Sequence, residues 1–377
     1  MTDAIASTAV SLPRRQLASW ARLLCQSFAA HWLVFVVPVL ALVANEVILG
    51  PVDEPRRAGV VILIRSMVTF TLPAGLFAIF LARVVQMLFY EKPPSPVRAL
   101  IGDVKTLLRT PARLVNAFPV VVAVLLCSKA MLDIKMNIPA LHPFSWDETL
   151  MQVDRQLHGG VDPWLWLQPM LGHAPITFVI NMAYNFWFLV LFGMWVYLAF
   201  RPTFHALRLQ FFVAYTFAWI FGGALLAMLF SSAGPLYYGL IGLSPDPYVP
   251  LLDYLHATDE TIPIWALDAQ QLLWDGYTGE RKMFLGISAL PSMHNAMTML
   301  FVLVGWRIHR TLGIWLTVYA ALVLLGSVHL AWHYAVDSYA GLVVGALSWW
   351  IAGRLVEWNM RLPHVRQYRV ELERLAR

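Results

Sequence analysis

The amino-acid sequence predicts an all-α integral membrane protein, and three observations support that fold class. Hydrophobic residues make up 59% of the 377 residues and charged residues only 13%, about half the charged share of soluble domains. Several runs of about 20 mostly apolar residues match the length that crosses the hydrocarbon core of a bilayer. The lysines and arginines lie mainly at the ends of these runs, as in membrane proteins of fixed orientation. A soluble protein of this size would need a more polar surface than these residues supply.

Eight apolar runs are predicted to be transmembrane helices. They lie at about 28–49, 60–90, 112–131, 174–200, 209–230, 291–306, 311–329 and 333–351. Two basic amphipathic segments, 14–28 and 97–114, are predicted to be helices that lie on the membrane surface.

The distribution of basic residues predicts the orientation of these spans. Most of the 27 lysines and arginines fall on the side that holds both termini, so we expect both termini in the cytoplasm and the chain in the cell's inner (plasma) membrane. The basic tail, 356–377, is expected to lie on anionic lipids of the cytoplasmic leaflet, and no nucleic-acid partner is expected. The long segments 132–173 and 231–290 then form a cap on the outer side.

The first candidate for chemistry opens the sixth predicted span, with the sequence Pro291-Ser292-Met293-His294. Proline suits the first turn of a helix and serine its N-cap. The first backbone N–H groups of such a helix have no partner within it and point outward, as a phosphate cradle requires. His294 lies in that first turn.

The second candidate opens the last predicted span. His333 and Asp337 are four residues apart, so on a helix they would share a face and form a hydrogen bond. A carboxylate on one ring nitrogen fixes the tautomer and leaves the other nitrogen free. The spacing of Gly341 and Gly345 favours tight packing against a neighbouring helix. His329 is interpreted as a hydrogen-bonded contact between helices.

The predicted topology brings both clusters to the outer side of the membrane at similar depth. Two histidines and a carboxylate beside a helix N-terminus suit phosphoryl transfer, with one histidine attacking phosphorus and the other protonating the leaving alkoxide. This chemistry needs no metal and no cofactor. Haem binding would leave the aspartate unexplained. A serine hydrolase built on Ser292 would lack a strained nucleophile turn, and a transporter would show broken helices in paired halves.

The two histidine motifs resemble the second and third motifs of the type-2 phosphatidic acid phosphatase superfamily, and in particular its inositol phosphorylceramide synthase branch. Upstream, the stretch from Asp147 through Asp154 to Leu157-His158-Gly159 and the segment 231–238 are similar to that branch too. The resemblance covers about 112–355. It implies a six-helix catalytic core at 112–355, preceded by two added helices within 1–111 and followed by the basic tail.

The resemblance also implies roles for individual residues. His333 would be the nucleophile that forms a phosphohistidine, Asp337 would orient it, and His294 would be the general acid and then the base. The resemblance and the residue chemistry together also give a set of predicted substrate-binding residues: Arg281, Lys282, Ser292, Tyr237 and Tyr238.

The chain departs from the superfamily's phosphatases in two ways. Ser327 stands where they have an arginine, six residues before the nucleophile. Their first motif, a lysine with Arg-Pro seven residues later, has no match. The missing cations favour a transferase over a phosphatase.

We therefore predict a lipid phosphotransferase with membrane lipids as donor and acceptor. It would move a phospho-head group, such as phosphoinositol, from a phospholipid to a lipid or polyol hydroxyl. The alternatives are hydrolysis of phosphatidic acid or polyprenyl phosphate and, outside enzymes, a haem-binding or transport protein.

Overall fold

Helices account for the regular structure of the chain. The structure, a computed structural model, describes residues 14–52, 54–280 and 286–376, and no strand occurs among them. Within these residues, six helices are long and apolar enough to cross a membrane, and a bent helix pair raises the number to seven. The predicted all-α membrane class is confirmed, and six or seven of the roughly eight predicted spans meet this criterion of length and apolarity.

The helices are numbered here in chain order. They are α1 (Arg14–Ala30), α2 (Leu33–Leu49), α3 (Arg56–Glu91), α4 (Pro96–Arg109), α5 (Ala112–Leu141), α6 (Asp147–Leu157), α7 (Pro163–Leu171), α8 (Ala174–Ala199), α9 (Ala206–Leu229), α10 (Val249–Asp259), α11 (Trp265–Thr278), α12 (Met293–Ile308), α13 (Arg310–His329), α14 (Ala335–Asn359) and α15 (Pro363–Ala376).

Two of the eight predicted spans are not among these six helices. The first predicted span bends by 74° between α1 and α2, so its apolar run is divided between two short helices. Helix α12 has 16 residues, is about 24 Å long and is not among the six helices. The predicted surface segments do form helices, α1 and α4.

Helices α12, α13 and α14 pack together and hold both histidine motifs. Two glycines of α14 allow the close approach, as their spacing predicted. A Cβ atom at Gly341 would collide with the Ser292 carbonyl, and one at Gly345 would collide with the carbonyl of Ala296. Small residues of this kind let two helix backbones come close inside a membrane.

The predicted cap segments contain short helices rather than open loops. Helices α6 and α7 lie within 132–173, and α10 and α11 lie within 231–290. Gln270 of α11 donates a hydrogen bond to the Leu330 carbonyl, 2.8 Å away, and the N–H of Leu236 donates to the Ala331 carbonyl. These bonds attach the cap to the loop that carries His333.

The opposite end of the bundle, called here the arginine end, is built around Arg208. This side chain is 1% exposed. Its Nε donates to the Leu198 carbonyl and its Nη2 to the carbonyls of Ala199 and Asn116, while Nη1 lies 2.6 Å from a ring nitrogen of His31. Two of these carbonyls end α8, where the helix dipole favours a cation.

Candidate active site

The structure brings His294 and His333 together at one end of the bundle, called here the histidine end. His294 lies in the first turn of α12 and His333 two residues before α14. Their ring centroids are 6.4 Å apart and the ring planes are inclined at 59°. His333 is 8% exposed and His294 is half-buried. The two imidazoles, carried by different segments of the chain, therefore lie close together at this end of the bundle.

Asp337 lies beside His333, but not in the way that the spacing predicted. Helix α14 begins at Ala335, so His333 precedes the helix and does not share a face with Asp337. The Asp337 carboxylate folds back over the helix start, where Oδ2 accepts the N–H of Tyr334 at 3.0 Å. The same oxygen is 3.5 Å from Nδ1 of His333, which is long for a hydrogen bond.

Ser292 is the N-cap residue of α12, yet its hydroxyl forms no capping hydrogen bond. It accepts instead from the side chain of Asn295, which also donates to the hydroxyls of Ser327 and Ser338. All four side chains are buried. The Ser292 N–H donates to the backbone carbonyl of Asp337 at 2.9 Å, so this polar cluster fixes one histidine motif against the other.

The position of Ser327 explains in part why no arginine stands there. The Ser327 hydroxyl is 0% exposed and donates to the Val323 carbonyl while accepting from Asn295. The Ser327 carbonyl accepts the backbone N–H of His333 at 2.9 Å. A larger side chain at position 327 would disrupt these hydrogen bonds and this packing.

Aromatic rings enclose His294 on the side that faces α8. The Trp187 ring centroid is 4.3 Å from that of His294, and the Tyr184 ring stacks on it at 4.6 Å. Trp187 also donates its indole N–H to the His294 carbonyl at 3.2 Å. Phe188 contacts the same ring edge-on and is 47% exposed. The imidazole is thus held in a mainly apolar wall between helices.

Lys135, near the C-terminal end of α5, supplies a cation that the sequence analysis missed. Its charge acts on both His294 and His333, and its backbone packs against Gly286, where a Cβ atom would collide with the Lys135 carbonyl. A signal was present, because His142-Pro143 begins seven residues after Lys135. This is the spacing of the superfamily's first motif with histidine in place of arginine.

Two carboxylates of α6 hold the loop around His333, and sequence reasoning had assigned them no role at the site. Asp147 accepts hydrogen bonds from the N–H groups of Ala233 and Gly234 and from the Tyr334 hydroxyl, at 2.8–2.9 Å. Asp154 accepts the N–H groups of Ala335 and Val336 at 2.7 and 2.8 Å. The sequence could not indicate which groups these carboxylates bind, because their hydrogen-bond partners lie about 85 to 190 residues away along the chain.

The bonds to Asp154 occupy the free N–H groups at the start of α14. These two N–H groups are therefore not available for a phosphate cradle at the start of α14. Burial raises the pKa of Asp154 to about 6, although its bonds to Val336 and Ala335 act in the opposite direction. Burial also raises the pKa of Asp147.

The remaining predicted residues lie in different surroundings. Tyr237 donates its hydroxyl to the Gln270 carbonyl, and Tyr238 packs its ring against Tyr248. Both are buried in the cap. Arg281 and Lys282 lie outside the described residues.

His329 is a helix contact, as predicted. It is 0% exposed, and its Nε2 lies 2.9 Å from the Thr177 hydroxyl. Within residues 14–52, 54–280 and 286–376, no group of three or more His, Cys, Asp or Glu side chains could hold a metal ion.

The fold and site define a helical membrane protein with a paired-histidine centre under a cap. A family model described as the PAP2 superfamily matches residues 148–351, which is more than half of the chain and includes both histidines. The chain belongs to this superfamily, the type-2 phosphatidic acid phosphatases, whose members are typically lipid phosphatases or phosphotransferases. Comparison with curated proteins and with solved structures gave no significant match.

Proposed function

We propose that the protein is a lipid phosphotransferase that works through a phosphohistidine at His333. The observation that carries the proposal is the 6.4 Å separation of the His294 and His333 rings. Two imidazoles at this distance can act on opposite sides of one phosphorus atom, one as nucleophile and one as acid–base catalyst.

In the first half-reaction a ring nitrogen of His333 attacks phosphorus, and the bond between phosphorus and the oxygen of the donor lipid breaks. Asp337 and the Ala289 backbone, which pairs with this ring, hold the imidazole and stabilise its positive charge. Protonated His294 gives its proton to the departing alkoxide. Lys135 and the first N–H groups of α12 stabilise the phosphate oxygens.

In the second half-reaction neutral His294 removes the proton of an acceptor hydroxyl. The acceptor oxygen attacks phosphorus and the bond to His333 breaks, which returns both histidines to their starting states. Water in place of the acceptor would give hydrolysis through the same steps. The buried His333 ring and the aromatic wall around His294 restrict water, which favours transfer.

The proposed group transferred is a phosphorylated polyol such as phosphoinositol. This choice rests on the resemblance of the motifs to the inositol phosphorylceramide synthase branch. We further propose that the histidine end faces the outside of the inner membrane. Accessibility of single cysteines placed in the cap to a membrane-impermeant reagent would test that orientation.

Turnover of a labelled donor tests the function. The purified protein in nanodiscs is given phosphatidylinositol labelled in its head group, with and without a lipid bearing a free hydroxyl. We expect labelled acceptor lipid to form at the expense of free inositol phosphate, and we expect His333→Ala to abolish both products. His173→Ala is the matched control, because His173 is exposed at the same end of the bundle. Normal turnover by His333→Ala would exclude the mechanism.

A further inference from the structure

A cavity of about 200 Å³ lies within the membrane-spanning part of the bundle. Its walls come from α3, α5, the second half of α8 and α9, and it is called here the α3 groove. Leu63 of α3 forms one side, and Trp195 and Trp219 lie on others. Because all four helices are long and apolar enough to span a bilayer, the groove lies at the depth of hydrocarbon chains.

The described wall of the α3 groove contains no charged side chain. Its two hydroxyl-bearing residues, Ser128 and Tyr215, form a hydrogen bond with each other. The indole N–H groups of Trp195 and Trp219 have no partner among the described residues, and both are donors. Such a wall favours a hydrocarbon chain, with at most an ester carbonyl oxygen for the indole donors, over a charged or polyhydroxylated ligand.

The α3 groove borders the histidine end. Trp187 and Phe188 line the groove, and the same two rings contact His294 at 4.3 and 6.2 Å between centroids. On α5, Met131 lines the groove one helical turn before Lys135, so both lie on one face of that helix. An amphiphile with its phosphate beside Lys135 and the histidines would extend its chain into the groove.

Helix α3 lies outside the part of the chain that matches the superfamily model, which begins at residue 148. It is held against α8 by small residues, since a Cβ atom at Gly75 would lie 2.6 Å from the Phe192 carbonyl. Most of α3 is otherwise exposed. Its described contribution to the groove is Leu63, 12 residues and about 18 Å along the helix from Gly75.

We propose that α3 completes a binding groove for a hydrocarbon chain of the lipid substrate, so that this added helix takes part in substrate selection. The inference rests on the proposed function, because the phosphate at the histidines sets the position of the chain. The chain enters between helices from the bilayer, and its apolar surface is buried against Leu63 and the aromatic residues of α8.

Substitution of Leu63 tests the groove with little risk to folding, because α3 is largely exposed. Leu63→Trp would fill the groove. We expect kcat/KM for a donor with oleoyl chains to fall roughly tenfold, as for the exposure of two methylene groups, while a butanoyl donor is turned over as by the unaltered protein. Ile64→Trp is the matched control, since Ile64 is exposed on a different face of α3 and should change neither value.

A binding measurement separates failure of the groove from failure of the proposed function. A phospholipid with a diazirine at mid-chain is photolysed with the full-length protein in nanodiscs, and the labelled peptides are identified. We expect labelling around Leu63 and Ser128 that oleoyl lipid competes away and that Leu63→Trp reduces. If the protein showed this labelling but turned over no lipid, the groove would be supported and the proposed phosphotransferase function would be rejected.

Two results would overturn the inference. One is labelling that Leu63→Trp leaves unchanged. The other is an equal loss of turnover for oleoyl and butanoyl donors in Leu63→Trp, which would mean that this position acts on the chemistry rather than on the chain. Ser128→Trp, which fills the groove from α5, should repeat the result of Leu63→Trp.

Discussion

The histidine end and the arginine end both bury ionisable side chains, but they satisfy them differently. At the arginine end each guanidinium nitrogen of Arg208 has a partner, chiefly backbone carbonyls at the ends of helices. At the histidine end Nδ1 of His333 and Oδ1 of Asp337 are buried without a hydrogen-bond partner among the described residues. A buried polar group without a partner destabilises the fold by about 1–3 kcal/mol.

The difference suggests which end is structural and which is chemical. A network such as that of Arg208, in which every guanidinium nitrogen has a partner, holds elements in place. The histidine end keeps unused hydrogen-bonding capacity on His333 and Asp337, next to a second histidine and Lys135. Buried ionisable groups in membrane proteins are often functional. Here, whether their polar atoms already have hydrogen-bond partners separates the structural role of Arg208 from the chemical role of His333.

The largest expected effect on turnover, beyond loss of His333, is at His294. Without an acid to protonate the leaving alkoxide, His294→Ala should lower kcat by about 10²–10⁴-fold for a natural donor lipid. A donor whose leaving group is an acidic phenol needs no proton, so its first half-reaction should be much less affected. Rapid-quench kinetics of both donors measure the contrast, and equal losses would argue against His294 as the acid.

Lys135 should have the next largest effect. Lys135→Met removes the cation that acts on both histidines, and the loss of one preorganised contact to a developing oxyanion lowers kcat by about 10²-fold. Lys135→Arg keeps the charge and should recover part of the activity. If methionine and arginine variants were equally impaired, the role of Lys135 would be packing rather than charge.

Asp154 is expected to affect turnover moderately and to set its dependence on acid. The pKa of Asp154 is raised to about 6 by burial, so the carboxylate becomes protonated as the pH falls through about 6. Protonation weakens its bonds to Ala335 and Val336 at the start of α14, and turnover should fall with that midpoint.

Asp154→Asn should lower kcat roughly tenfold, the energetic equivalent of a lost helix cap, and should remove the acid limb near pH 6. Glu148→Gln, at an exposed position of the same helix, should keep the profile of the unaltered protein. An acid limb unchanged in Asp154→Asn would assign that limb to another group.

Substitution of Arg208 should have the smallest effect on turnover. Its expected effect is a loss of stability. Arg208→Met leaves several buried carbonyls without a donor and should reduce the free energy of unfolding by at least about 1–3 kcal/mol. The folded fraction should keep its kcat. Arg366→Met, at an exposed position of α15, should leave the unfolding midpoint in nanodiscs unchanged. Loss of kcat in folded Arg208→Met would remove the distinction between the two ends.

The sequence predicted the fold class and the meeting of the histidines because both depend on local signals. Apolar runs define the long helices, and the motifs at the starts of α12 and α14 place His294 and His333 at one end once the spans alternate in direction. The 74° bend between α1 and α2 depends on packing between helices and has no signal in the apolar pattern.

The parts that could not be predicted depend on contacts between distant segments. Asp147 accepts hydrogen bonds from Ala233 and Gly234, and no pattern in the sequence predicts that these two segments meet. The sequence could have indicated Lys135 only if the superfamily's first motif were allowed a histidine, His142, in place of its arginine. Without that allowance, only the structure shows that Lys135 lies near the histidines. The geometry of Asp337 differed because helix α14 begins two residues after His333.

Trapping of the covalent intermediate tests the central claim most directly. The protein is mixed with donor lipid labelled in its phospho-head group, quenched within one turnover under alkaline denaturing conditions, and mapped by mass spectrometry. We predict one labelled phosphoryl group on His333, stable to base, labile to acid, and lost when acceptor lipid is added before the quench. Label on another residue, or full turnover without any label on His333, would contradict the account.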